Sequence, residues 1–145
     1  MKKLLTILMA TIFTLSAGAA IAGKYSKQKV IYHVNYKDPK RQSAALRNIQ
    51  NHINAVGKEN LDIRVIMHSG GYTLLTRANK DMAMQQKISN LKDQGVSFNI
   101  CANTLRGKKI DYKTQMFDVD EKDIVPSGVA EIAHLQDQGF SYIRP

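Results

Sequence analysis

The sequence predicts an α/β domain built on an open, mainly parallel sheet of five strands. Three observations lead to this fold class. The chain has 145 residues, of which 43% are hydrophobic and 23% charged, as in one ordinary globular domain. Five short segments rich in β-branched or aromatic residues alternate with segments whose apolar residues recur every three or four positions. Strands separated by helices pair in parallel through right-handed crossovers, and no low-complexity linker interrupts them.

The first half of the domain predicts two strands and a helix between them. Lys29–Asn35 is the first strand, and Asp38 followed by Pro39 is typical of a helix start. This helix ends at Gly57, and Asp62–His68 is the second strand. The apolar stripe of the helix consists of Leu46, Ile49, Ile53 and Val56.

The second half predicts three further strands. A short helical turn and a long helix precede the third strand, and a helix opened by Ser127 or Gly128 and ended by Gly139 joins the last two. The segments, in chain order, are the turn Tyr72–Arg77, the helix Asp81–Gln94 and the strands Val96–Cys101, Lys122–Val125 and Phe140–Ile143. Five strands in this pattern favour a doubly wound, flavodoxin-like sheet with strand order 2-1-3-4-5.

The first 22 residues predict a secretory signal peptide. Lys2 and Lys3 precede the apolar run Leu4–Leu15, and Ala20–Ala22 fits a small-x-small cleavage site. The run is shorter than the roughly 20 residues that span a bilayer, so no stable membrane anchor is expected. We therefore expect a mature domain of residues 23–145 that is periplasmic or secreted.

The chain is basic, with a formal net charge of +9 and a pI of about 9.7. A basic surface often binds nucleic acid. Here the cations are scattered, without a sustained run or interleaved aromatic residues, and export separates the protein from nucleic acid. No nucleic-acid partner is predicted.

The chemistry is expected at the carboxyl ends of the strands, where open α/β sheets bind ligands. Polar or reactive residues end each of the first three strands or follow directly. They are Asn35 after the first strand, His68, Ser69 and Gly70 after the second, and Cys101, Asn103 and Thr104 after the third.

Cys101 is the one cysteine of the chain, which excludes an internal disulfide framework and a thiolate zinc cluster. It lies where a strand meets a short helix, and free amide groups at such a junction stabilise a thiolate. The alternative is a small buried apolar residue, which is common for free cysteine. A metal site of His33, His68 and Cys101 lacks close ligand spacing, and nucleotide-binding glycine motifs are absent. No metal and no other cofactor is predicted.

Several short segments in fixed order resemble the DsrE/DsrF-like family of small α/β sulfur-relay proteins, in particular its exported branch. The resemblance spans nearly all of residues 28–145, although Ser69 stands where the family usually has glycine. The carrying segments are 45–49 with Asn51 and His52, 68–71 with Leu74 and Leu75, 95–105, 125–131, and the positions Leu135, Gln136, Gly139 and 142–145.

The resemblance implies a three-layer flavodoxin-like fold and a homo-oligomer, commonly a trimer or hexamer. It also implies that Cys101 carries sulfane sulfur as a persulfide and passes it to a thiol-bearing partner. His68 and Asn35 would position the sulfur, and a sulfurtransferase-like turnover is left open. The other hypothesis is a non-catalytic oligomeric binding or scaffold protein in which Cys101 is packed and structural.

Overall fold

The structure, a computed structural model, describes residues 25–145. The predicted signal peptide, residues 1–22, lies outside the described residues. Five strands form one parallel sheet: β1 (Gln28–Val34), β2 (Leu61–Met67), β3 (Ser97–Cys101), β4 (Ile124–Val125) and β5 (Ser141–Ile143). The helices are α1 (Pro39–Val56), α2 (Thr73–Ala78), α3 (Met82–Asp93), α4 (Ala102–Lys108), α5 (Tyr112–Gln115) and α6 (Gly128–Asp137). Three short 3₁₀ turns, Lys58–Asn60, Ser69–Tyr72 and Glu121–Asp123, complete the described elements.

The predicted fold class, a flavodoxin-like α/β sandwich with a five-stranded parallel sheet, is confirmed, but the strand order differs from 2-1-3-4-5. The observed order is β4-β3-β2-β1-β5. β2 is interior, paired with both β1 and β3, and the short β5 pairs with the other side of β1. The hydrophobic pattern of a strand identifies its buried face and carries no information about its neighbours, so the predicted order wrongly placed β2 at an edge and β5 beside β4.

The strand order explains the three layers. The connections after β1, β2 and β3 each move one strand towards β4, so right-handed crossovers place α1 to α4 on one face. The return from β4 to β5 crosses the whole sheet and places α6 on the opposite face. The first face holds the larger apolar core, which includes Ile49, Leu74 and Ile88. The second is a small cluster of Ile31, Ile66, Leu135 and Phe140.

Local capping fixes the helix starts that the sequence predicts. The Asp38 side chain accepts a hydrogen bond from the Arg41 amide at 2.9 Å, with Pro39 at the first helical position. Asp81 caps α3 in the same way, at 3.1 Å from the Met84 amide. Helix α5 was not expected, since its sequence reads as a polar loop, and Asp111 caps it.

Candidate functional site

Cys101 ends β3 beside Val125 of β4, at the carboxyl edge of the sheet. Neighbouring Ile100 faces the larger core, so strand alternation turns Cys101 towards the α6 face. Its thiol is free and the residue is only 4% exposed, yet it lines an open pocket of about 380 Å³. The lining residues are His68, Ser69, Cys101, Asn103, Thr104, Gly107, Lys108, Ser127, Gly128 and Val129.

The pocket surrounds the sulfur with hydrogen-bond donors. The backbone amides of Gly128, Thr104 and Asn103 and the Thr104 hydroxyl are the donor groups that favour the thiolate form of Cys101. That hydroxyl oxygen accepts the Ser69 amide at 3.0 Å, which leaves its proton for the sulfur. Burial raises the pKa of the Cys101 thiol, but these hydrogen bonds favour the thiolate more strongly, and the pKa falls below its ordinary value.

Replacing Thr104 with valine should raise the pKa of the Cys101 thiol, because it removes the hydroxyl donor at nearly constant volume. A hydrogen bond to a charged group contributes about 1.5–3 kcal/mol, so alkylation by iodoacetamide at neutral pH should slow roughly tenfold. The control is Thr76→Val on α2, where the hydroxyl donates only to the Thr73 carbonyl. Equal alkylation rates for wild type and Thr104→Val would contradict the assignment.

His68 and Ser69 form the wall of the pocket that β2 supplies. The His68 ring has both nitrogens engaged: Nδ1 lies 3.1 Å from Ser69 Oγ and Nε2 lies 2.7 Å from His33 Nε2. Burial lowers the pKa of His68, so the neutral ring is favoured. Ser69 has a φ of 49°, in the left-handed region that glycine adopts most easily.

The first turn of α6 supplies the opposite wall. A Cβ at Gly128 would lie 3.0 Å from His68 Cβ and 3.3 Å from Cys101 Cβ, so a larger residue here would crowd both walls of the pocket and force a small shift. The residues of this wall and of the end of α4 were missed by the sequence analysis: Gly107, Lys108, Ser127, Gly128 and Val129. The sequence contained a signal for two of them. Ser127 and Gly128 follow the fourth strand, which lies next to the third in the predicted order as well as in the observed one.

Four of the predicted binding residues lie together with Cys101, and two do not. His68, Ser69, Asn103 and Thr104 line the pocket. Asn35 instead accepts a hydrogen bond from Arg144 at its side-chain oxygen, 3.1 Å away, and its carbonyl accepts the Gly70 amide at 3.2 Å. These two residues therefore tie β1 to the loop after β2, beside the pocket rather than in it.

The charge of the pocket favours anions. Lys108 is its one charged lining residue, and no aspartate or glutamate lines it. Val129, 67% exposed, adds an apolar patch to its wall. Within residues 25–145, no three His, Cys, Asp or Glu side chains come close enough together to hold a metal ion. In the same part of the chain, no helix has the length and apolar character needed to cross a membrane.

Residues 28–145 match the model of the DsrE/DsrF-like family, and the chain belongs to that family. No curated protein matches it.

Two solved structures share the fold. A protein of unknown function, MTH1491 from Methanobacterium thermoautotrophicum, is 32% identical, with a TM-score of 0.70 over 82% of this chain and 100% of its own. The ychN protein from E. coli is 17% identical, with a TM-score of 0.58 over 83% of this chain and 100% of its own, which is a likeness of fold alone.

Proposed function

We propose that this protein is a sulfur-relay protein that carries sulfane sulfur as a persulfide on Cys101 and passes it to a partner thiol. The observation that carries the proposal is that Cys101 lines an open pocket in which neighbouring amides and the Thr104 hydroxyl favour its thiolate. Membership in the DsrE/DsrF-like family supports a sulfur-relay-like role at the level of the family.

The arrangement suits both halves of sulfur exchange. The Cys101 thiolate attacks the outer sulfur of a donor, a new S–S bond forms, and the donor thiolate leaves. The terminal sulfur of the resulting persulfide is then open to attack by a partner thiolate, which returns Cys101 to its starting state. The amides that stabilise the thiolate make Cys101 a good leaving group in this second step.

Assembly and location complete the proposal. A homo-oligomer, trimeric or hexameric, would bring several such pockets together, and export would place them in the periplasm or outside the cell. Val129 is 67% exposed at the wall of the pocket, so a thiol-bearing partner that reaches Cys101 would pass beside it.

One observation favours a second candidate, a non-catalytic oligomeric scaffold with a structural cysteine. Cys101 is only 4% exposed, as a packed thiol would be. In that case the donor groups around Cys101 would serve to hold the starts of α4 and α6 against the end of β3.

Intact mass spectrometry after polysulfide treatment decides between the two functions. We expect one or more sulfur atoms on the wild-type protein, removed by a reducing thiol, and none on Cys101→Ser. If treated wild type gained no sulfur, or if Cys101→Ser gained as much as wild type, the result would contradict the relay and favour the scaffold. Because serine keeps the size and polarity of the site, circular dichroism should show both proteins folded.

A further inference from the structure

A continuous row of hydrogen-bonded side chains runs across the α6 face of the sheet and ends at the pocket. Tyr142 Oη on β5 lies 2.6 Å from His33 Nδ1 on β1. His33 Nε2 lies 2.7 Å from His68 Nε2, and His68 Nδ1 lies 3.1 Å from Ser69 Oγ. Four side chains from three strand regions therefore form three consecutive hydrogen bonds.

The two ends of this row lie in different environments. Tyr142 is 42% exposed at the edge strand β5, whereas His33 in the middle is only 7% exposed. Ser69, at the other end, lines the pocket that contains Cys101. The row thus connects the outer surface with the pocket through a buried segment.

Each hydrogen bond in the row can point in either direction. In one state Tyr142 donates to His33, His33 donates to His68, and His68 donates to Ser69. In the reverse state Ser69 donates to His68, which donates to His33, which donates to Tyr142. Both states satisfy every group, because a neutral imidazole has one donor and one acceptor nitrogen.

We propose that Tyr142, His33, His68 and Ser69 form a proton relay that delivers a proton from the surface to the thiolate leaving the pocket during sulfur transfer. This inference rests on the proposed function and adds a general acid to it. Ser69 is the group that touches the substrate, and His68, His33 and Tyr142 are positioning residues that act through it.

The donor in this sulfur-transfer step is a hydropersulfide, R–S–SH. Cys101 Sγ⁻ attacks the outer sulfur, the Sγ–S bond forms, the donor S–S bond breaks, and the electron pair leaves with R–S⁻. Ser69 gives its proton to R–S⁻ and regains one from His68, which is supplied by His33, then Tyr142, then water. The sulfane sulfur changes carrier, and no external oxidant or reductant takes part.

Two features of the structure support the relay. The pKa of His33 is lowered to about 4, mainly by burial and to a smaller extent by the charges of His68 and Arg144. At neutral pH the ring is therefore neutral, with one nitrogen that donates a hydrogen bond and one that accepts. The left-handed backbone conformation of Ser69 is energetically unfavourable for any residue other than glycine. Serine nevertheless occupies the position, and its hydroxyl makes the hydrogen bond with His68 that a glycine could not make.

The test compares two tyrosine variants of the full mature protein. Tyr142→Phe removes the outer end of the relay and keeps the ring. Tyr32→Phe is the matched control, because Tyr32 lies on the neighbouring strand β1 and its hydroxyl also bonds a histidine, His52 Nδ1, at 3.0 Å, but on the opposite face of the sheet. Two probes are used: cysteine persulfide, whose more basic leaving thiolate is helped by a proton donor, and an aryl disulfide, whose weakly basic leaving thiolate departs readily without one.

We expect Tyr142→Phe to slow single-turnover transfer from cysteine persulfide roughly tenfold above neutral pH, which is less than the 10²–10⁴-fold effect typical of general acid catalysis because Ser69, His68 and His33 remain in place. Its reaction with the aryl disulfide should be unchanged, and Tyr32→Phe should match wild type with both probes. Equal slowing with both probes would show a structural effect, and no slowing with either would show that no relay operates; both results overturn the proposal.

If wild type accepts no sulfur from a persulfide, the proposed function is rejected. The hydrogen-bonded row can then still be tested by ¹⁵N NMR of the histidine rings. In Tyr142→Phe, the ¹⁵N chemical shifts of the ring nitrogens of both His33 and His68 should change. The reason is that the donor–acceptor direction of one hydrogen bond in the row sets the direction of the next. A change confined to His33 would overturn the relay, whatever the fate of the proposed function.

Discussion

Replacing Gly71 with alanine is expected to destabilise the fold by about 3 kcal/mol or more. Gly71 is buried in the turn after β2, and its amide donates to the His68 carbonyl at 2.8 Å. A Cβ on Gly71 would lie 1.8 Å from the Val34 carbonyl oxygen and 2.7 Å from the Val34 carbonyl carbon. Both are backbone atoms at the end of β1, so relief requires that the turn and the strand separate.

Denaturant unfolding of Gly71→Ala measures this effect. The control is Gly107→Ala on α4, where a Cβ would meet nothing within 4 Å and helix propensity favours alanine. Gly107→Ala should unfold at or above the wild-type midpoint, and Gly71→Ala far below it or not at all as a cooperative transition. A wild-type midpoint for Gly71→Ala would show that this turn packs differently.

Acidification is expected to remove about 2 kcal/mol of folding stability between pH 6.5 and pH 4, mainly through His33. Burial, with the nearby charges of His68 and Arg144, lowers the pKa of His33 from its usual 6.5 to about 4. In this window the unfolded chain binds a proton that the folded chain does not, so stability falls as pH falls. The contribution of His33 is complete above pH 6.5 and is lost as pH approaches 4. Burial also lowers the pKa of His52 and His68, which adds to the same trend.

Urea titrations at several pH values check this prediction. His33→Gln should lose less stability than wild type between pH 7.5 and pH 4.5, because the titrating group is gone. His134→Gln, at an exposed position on α6, should follow the wild-type curve. A flat wild-type curve, or equal acid losses in wild type and His33→Gln, would contradict the role of His33.

The sequence predicted local features of the fold well because they depend on local chemistry. Asp38 and Pro39 begin α1 and the β-branched segments form strands as expected, since caps and apolar periodicity act over a few residues. The position of β5 depends on how a three-residue strand competes for an open sheet edge, which no local pattern specifies. Pairing β5 with β1 was therefore not predicted.

The same distinction applies to the site. Of the three strand ends that were expected to share the site, two supply residues that line one pocket, His68 from the second and Cys101 and Thr104 from the third, whereas Asn35 after the first does not line it. The contact of Tyr142 with His33 was not foreseen, because order 2-1-3-4-5 separates β5 from β1, whereas the observed order pairs them. Gly128 was missed for a related reason, since its role depends on how closely α6 approaches β3.

The pH dependence of Cys101 alkylation in the native protein tests the central claim most directly. If the pocket admits small reagents and its donors stabilise the thiolate, iodoacetamide should label the folded protein with a midpoint pH below that of a cysteine peptide measured in parallel. A native thiol that remains unlabelled until the protein unfolds, or that titrates at or above the peptide's pH, would contradict the account.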